Sequence, residues 1–348
     1  MEKIIRVLVV DDSAYVRKVV TQMLSRSPFI EVVGVARDGE EALEKAAALD
    51  PDVITLDLIM PNMDGVAFLK EQMARKPVPV VLVSIASESG EMALQALDAG
   101  AIDFIQKPTA LATERILEIA DSLVEKVKTA ARVPLHRLPL APVRETPPPA
   151  PALVREGPRQ VEIVVIGVST GGPQALKYLI PLLPKDFPVP VAIVMHMPVG
   201  YTEMYARKLD ELSPLEVREA REGEEVRPGL VILAQAGRHL LFQSTLEGRI
   251  VAHLDTRPLD TLHRPAVDVL FRSAAETYRK GVLGIVMTGM GSDGLEGAAW
   301  IKSQGGMIFT EAEETCVVYG MPRSVDEANL SDRSVPLFAL AKAIGEVI

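Results

Sequence analysis

Short runs rich in Val, Ile and Leu alternate along the chain with longer stretches in which apolar positions recur at helical spacing. In the first 128 residues the runs are Ile4–Val10, Val32–Ala36, Val53–Leu56, Val78–Ser84 and Phe104–Gln106, with helical patterns near 14–26, 38–48, 64–75, 89–99 and 110–128. Strands this rich in Val and Ile, alternating with helices, are of the buried type covered on both faces, which predicts a parallel sheet between helices. Five such units over this length predict a flavodoxin-like α/β domain with a five-stranded parallel sheet. From Val133 to Arg159 the pattern dissolves. Proline crowds the stretch, with Pro147-Pro148-Pro149 in succession, so residues 129–159 are expected to form an extended tether. Alternation resumes over 160–348 with Val161–Val168, Val189–Met195, Val231–Ala234, Val282–Thr288 and Met307–Thr310, predicting a second doubly wound, Rossmann-like α/β domain. Leu240–Ser244 and Arg249–His253 flank Leu246-Glu247-Gly248 as a hairpin, which would make part of the second sheet antiparallel.

Composition narrows the function classes. A chain of 348 residues with 48% hydrophobic and 24% charged positions fits two soluble domains. The single cysteine, Cys316, excludes an intrachain disulfide and fits a reducing compartment. No apolar run approaches the ~20 residues that span a bilayer, and Met1–Val10 lacks the apolar core of a signal peptide. A cytoplasmic protein, not inserted in a membrane and monomeric, is expected. The net charge of −10 is spread over both folded halves, each with an acidic excess, which argues against nucleic-acid binding.

The strand ends of the first half carry candidate chemistry. Asp11 and Asp12 end the first strand, Asp57 the third and Ser84 the fourth, while Lys107 follows the fifth and precedes Pro108. In a parallel sheet these residues collect on one edge, where α/β sheets bind ligands. Clustered carboxylates repel, and a hard divalent cation relieves that repulsion. The stretches Val9-Val10-Asp11-Asp12-Ser13, Asp57–Gly65, Ser84 and Asp103–Pro108 together resemble the receiver domain of response regulators. The resemblance implies that Asp57 accepts a phosphoryl group from a chemotaxis histidine kinase. It further implies that Asp11, Asp12, Asp57 and the backbone carbonyl of Ile59 hold Mg²⁺, and that Ser84, Lys107 and Phe104 sense the phosphoryl group. Ile59 replaces a side chain that is polar in many relatives.

In the second half, Gly167-Val168-Ser169-Thr170-Gly171 follows a strand and precedes a helix. This G-x-S-x-G pattern is either a nucleophile elbow or a glycine-rich turn that binds an anion at a helix start. A nucleophilic serine needs a base and an orienting acid. Among five histidines, His136 lies in the tether, His239 and His253 near the hairpin and His263 in an irregular stretch; His196 alone directly ends a buried-type strand. Asp293 likewise follows the strand Val282–Thr288, so Ser169, His196 and Asp293 can meet on one sheet edge. Their order, Ser–His–Asp, differs from the Ser–acid–His order of α/β-hydrolases.

The stretches Ile166–Pro173, His196-Met197-Pro198 with Tyr201-Thr202, His263–Phe271, Met287–Gly294 and Tyr319–Pro322 resemble the catalytic domain of chemotaxis protein-glutamate methylesterases, the CheB family. The resemblance implies Ser169 as nucleophile, His196 as base then acid, Asp293 as its orienting group, the Met290 amide as oxyanion donor and Thr170 as a neighbouring contact. It implies hydrolysis of glutamate γ-methyl esters of chemoreceptors, deamidation of receptor glutamines, and no cofactor for either. It also implies that the unphosphorylated receiver restrains the active site. Ala234-Gln235-Ala236-Gly237 departs from relatives that place Pro after the first Ala. Three other readings compete. Gly289-x-Gly291-x-x-Gly294 with Glu311 matches a dinucleotide fingerprint, although Asp293 would then face the pyrophosphate. The second domain could be an inert docking module. Cys316 could be a nucleophile, although its apolar surroundings suit a buried thiol.

Overall fold

The computed structural model describes residues 3–84, 86–107, 113–134 and 161–348, and the chain divides into two compact units between residues 142 and 143. In the first unit, strand and helix alternate as β1 (Ile5–Val10), α1 (Ala14–Leu24), β2 (Ile30–Ala36), α2 (Gly39–Leu49), β3 (Val53–Leu56), α3 (Gly65–Arg75), β4 (Val80–Ser84), α4 (Ala86–Asp98), β5 (Asp103–Gln106) and α5 (Thr113–Ala130). The strands pair in parallel in the order β2-β1-β3-β4-β5, the flavodoxin-like arrangement. Helix starts are set by local chemistry. Asp38 and Asp64 cap α2 and α3 by accepting the amides of Glu41 and Ala67 at 2.9 and 2.8 Å. The expected boundary at residue 128 falls inside α5, which runs to Ala130. Residues 135–159 of the tether lie outside the described residues, as do His136 and Pro108.

The second unit continues with β6 (Ile163–Val168), α6 (Gly172–Leu179), β7 (Val191–Met195), α7 (Thr202–Leu212), β8 (Glu216–Glu219), β9 (Leu230–Leu233), β10 (His239–Ser244), β11 (Ile250–Asp255), α8 (Val267–Tyr278), β12 (Val282–Val286), α9 (Leu295–Ser303), β13 (Met307–Glu311), α10 (Met321–Glu327), β14 (Arg333–Val335) and α11 (Leu337–Gly345). Seven strands form one sheet in the order β14-β13-β12-β6-β7-β9-β8, every pair parallel. The expected antiparallel portion is therefore corrected. β10 and β11 form the predicted hairpin, but as a separate two-stranded sheet.

Burial explains the separation. β6, β7, β9 and β12 are buried at every position, whereas β10 and β11 bury only part of theirs. The hairpin lies on α8, with the Phe242 amide donating to Ser273 Oγ at 2.8 Å and Phe242 packed edge-on to Tyr278. α8 in turn presents Val267, Leu270, Phe271 and Ala274 to the core shared with β6, β7 and β12. Chain order reverses direction between β12 and β6, so the carboxyl ends of these strands flank the switch point where α/β sheets open a crevice. Among the described residues, no helix is long and apolar enough to cross a membrane.

Candidate functional site

In the first unit the predicted acidic residues converge. Carboxylate oxygens of Asp11, Asp12 and Asp57 lie within 4.8 Å of one another. The Asp57 amide is tied to the Val10 carbonyl at 2.9 Å, which fixes the third strand end beside the first. Lys107 reaches into the cluster, its Nζ 2.9 Å from Asp11 Oδ2 and 2.8 Å from Asp57 Oδ2. Its own position is set by a bond from the Lys107 amide to the Ser84 carbonyl at 2.9 Å. Burial lifts the Asp57 carboxyl to about 6 against the pull of Lys107, and the charge of Asp11 adds to the lift. Burial likewise raises Asp11. Two buried carboxylates and the exposed Asp12 beside one ammonium leave unbalanced negative charge, and all-oxygen donors at this spacing fit a hard divalent cation. Ser84 and Phe104 are buried on the neighbouring strand ends, and the Ile59 side chain is exposed two residues after Asp57.

In the second unit three strand ends meet. Ser169 follows β6, His196 follows β7, and Asp293 lies in the loop after β12. Backbone bonds fix their approach: the Ser169 amide donates to the Thr288 carbonyl at 3.0 Å and the His196 amide to the Val168 carbonyl at 3.1 Å. Gly171 opens α6 at φ 81°, a left-handed conformation that suits glycine. A Cβ on Gly289 would stand 2.9 Å from Ser169 Cβ, so only glycine lets the β12 loop pass the serine.

His196 and Asp293 form a short pair, Nε2 to Oδ2 at 2.7 Å. Because a carboxylate only accepts, Nε2 carries the proton and Nδ1 is the basic atom of the neutral ring. Nδ1 is buried and makes no hydrogen bond. Burial works to raise Asp293, yet the hydrogen bond and charge of His196 and the amides of Asp268 and Val267 outweigh it, and its pKa is lowered. Those amides belong to the first turn of α8 and donate at 2.9 Å to Oδ1 and 2.8 Å to Oδ2. Thr170 is buried, with its carbonyl accepting from Thr288 Oγ1 at 2.9 Å, and Met290 is half-buried in the β12 loop.

Several further residues hold this site in place. His263 stacks on His196 with ring centroids 3.9 Å apart at an interplanar angle of 28°. The segment bearing it is anchored by buried His239, whose Nε2 meets the Pro258 carbonyl at 3.1 Å while Nδ1 accepts the Ala266 amide at 3.2 Å. Gly320 and Met321 amides both donate to the Gly289 carbonyl, pinning the loop that bears Met290. Glu311, fully buried, accepts the Thr288 amide at 2.9 Å and the Thr315 hydroxyl at 3.0 Å. Burial pushes its carboxyl up to about 7. A carboxylate committed in this way has no access to a ribose, and Asp293 is engaged with His196, so the glycine loop lacks the features of a dinucleotide site. Cys316 is wholly buried, its thiol against the Glu311 carbonyl. Gln235, at the departure from the family pattern, donates to Glu219 at 3.3 Å.

Comparisons with known proteins agree on both halves. The CheB methylesterase family model matches residues 164–344, and the response regulator receiver domain model matches residues 7–120. A protein-glutamate methylesterase/protein-glutamine glutaminase of Myxococcus xanthus is 51% identical over 96% of this chain and 95% of its own length. Its counterpart in Symbiobacterium thermophilum is 45% identical over 100% and 98%. The crystal structure of the Thermotoga maritima CheB methylesterase catalytic domain aligns with TM-score 0.53 and 43% identity, covering 54% of this chain and 99% of that one.

Proposed function

Because the chain belongs to the CheB methylesterase family and carries a receiver domain ahead of its catalytic domain, we propose that it is a phosphorylation-activated protein-glutamate methylesterase that also deamidates glutamines of the same chemoreceptors. The observation that carries the reading is the short His196–Asp293 pair at the end of the strand next to the one Ser169 follows, with Nδ1 of His196 buried and unbonded.

In this mechanism Ser169 attacks the carbonyl of a glutamyl γ-methyl ester while His196 Nδ1 takes the hydroxyl proton. Asp293 keeps the Nε2 proton in place and stabilises the imidazolium without itself becoming protonated. The oxyanion that develops is held by the Met290 amide, with Thr170 alongside. His196 returns the proton to the departing methoxide, and methanol leaves. Water, activated by the same nitrogen, then releases the glutamate carboxylate and free Ser169. With a glutamine substrate the leaving group is ammonia and the remaining steps are the same. The side chains complete this chemistry without a cofactor.

In the receiver, Asp57 is the phosphoryl acceptor, supplied by a chemotaxis histidine kinase. Asp11, Asp12, Asp57 and the Ile59 carbonyl would hold Mg²⁺, which neutralises charge on the incoming phosphoryl group. Lys107 and Ser84 engage the phosphoryl oxygens, and Phe104 responds to the change. Regulation acts by release of restraint on the catalytic domain, in a cytoplasmic, monomeric enzyme.

The test is methanol release from methylated receptor with and without a small phosphoryl donor. Ser169→Ala is expected to lower turnover by at least about 10³-fold, and Asp57→Asn to abolish stimulation by the donor. Near-normal turnover in the first variant would refute the serine mechanism, and persistent stimulation in the second would refute the phosphoacceptor.

A further inference from the structure

α8 and α9 begin within one small cluster, and neither is capped by its own residue. The residue before α8 is Ala266 and the residue before α9 is Gly294, and neither supplies a side-chain cap. Each helix takes its cap from the start of the other. The Val267 and Asp268 amides of α8 donate to the Asp293 carboxylate at 2.8 and 2.9 Å. The Gly294 and Gly297 amides at the start of α9 donate to Asp268 Oδ1 at 2.9 and 2.7 Å. The helices approach so closely here that a Cβ on Gly297 would stand 3.0 Å from the Asp268 Cα and 2.5 Å from the Phe271 Cβ.

We propose that Asp268 is a positioning residue for the hydrolytic reaction: by holding the start of α9 it fixes Gly294, and through Gly294 the adjacent Asp293 that orients His196. The proposal rests on the role given to Asp293 above. The Asp268 amide reaches Asp293 whatever side chain residue 268 bears; the Asp268 carboxyl also lies against the Asp293 carboxyl, but the backbone amides it accepts are those at the start of α9. Without it the Gly294 and Gly297 amides lose their acceptor, and Gly294, at φ 102°, loses its anchor. The required property is an acceptor oxygen and not a charge. Burial raises Asp268 and the charge of Asp293 adds to that, so a neutral amide oxygen should serve in its place.

The test is a two-by-two cycle in the full-length enzyme, with kcat and KM for methyl-ester hydrolysis measured on folded protein under phosphoryl donor. Asp268→Ala should lower kcat by about ten- to a hundredfold with KM changed by less than about twofold, as expected when an orienting group is misplaced. Asp268→Asn should stay within about threefold of the parent, because its Oδ1 can accept both amides. In an Asp293→Ala background, Asp268→Ala should lower kcat by less than about twofold, since the group it positions is already gone. An undiminished effect in that background would overturn the proposal, as would an Asp268→Asn enzyme impaired more than tenfold, which needs no folded alanine variant to be read. If instead Asp293→Ala alone retained full activity, the assignment of Asp293 would fail first, and the cycle would report that separately.

Discussion

Glu311→Gln isolates the most deeply buried carboxyl near the hydrolytic site. Glu311 has no exposed surface, and its two partners, the Thr288 amide and the Thr315 hydroxyl, offset only part of the burial. Burial therefore raises its pKa from 4.5 to about 7. A raised pKa means that the folded chain binds the proton more tightly than the unfolded one. The associated stability is complete below pH ~4.5 and is lost as pH rises through about 7, roughly 3 kcal/mol in all at about 1.4 kcal/mol per pH unit. Glutamine can keep both contacts, with its carbonyl oxygen accepting the Thr288 amide and its carboxamide N–H donating to Thr315 Oγ1, the reverse of the present Thr315-to-Glu311 bond. It has no proton to lose over this range. Urea unfolding of the full chain at pH 5 and pH 8, followed by the fluorescence of the single tryptophan, Trp300 on α9, reads the catalytic domain directly. The parent should lose about 2.5 kcal/mol more than Glu311→Gln between the two pH values, because the unfolded carboxyl is already largely ionised at pH 5. Other titrating groups are common to both proteins and cancel in the difference. Parallel pH dependence in the two would refute the reasoning, because the buried carboxyl would then titrate as it does in the unfolded chain.

Two further substitutions probe the geometry of the site. Gly289→Ala places a Cβ 2.9 Å from Ser169 Cβ and 2.3 Å from Met321 Sδ; the thioether can turn aside but the serine cannot, and kcat in the methanol-release assay should fall about a hundredfold. A fall of less than threefold would show that the loop yields without moving the nucleophile. His263→Ala should lower kcat about three- to tenfold, the range that corresponds to an aromatic stacking energy of about 0.5–1.5 kcal/mol, and His263→Phe should recover most of it. Equal loss in both variants would mean that the stacked ring is not what matters.

The receiver half was legible almost throughout, because its central strands are mostly Val, Ile and Leu and its chemistry sits at the strand ends. Asp11, Asp57 and Lys107 needed only a parallel sheet to converge. The same logic places Ser169, His196 and Asp293 at neighbouring strand ends of the second sheet. Other features carried no such signal. β8 reads Glu-Val-Arg-Glu and β14 Arg-Ser-Val, short edge strands whose charges guard the sheet rim and hide its periodicity. The hairpin was visible, but its attachment to α8 depends on Phe242, Ser273 and Tyr278 meeting across distant segments. Glu311 ends strand β13, and in the sequence it stood out only as the ribose contact of the competing dinucleotide reading; the fold turns it inward to Thr288. The exchange of helix caps depends on backbone amides, which no pattern of side chains announces.

The all-parallel sheet with its central switch point also has a consequence for synthesis. Strand neighbours in such a sheet lie far apart in the chain, so their pairing is a late, non-local event. Ser169 emerges from the ribosome well before Asp293, and the amides of Gly320 and Met321 that pin Gly289 emerge later still. A nascent chain therefore carries its nucleophile for more than a hundred residues before the oxyanion loop can be locked. On the mechanism proposed above, hydrolysis would begin only once nearly the whole catalytic domain has been made, and a chain that ends before Gly320 should release no methanol.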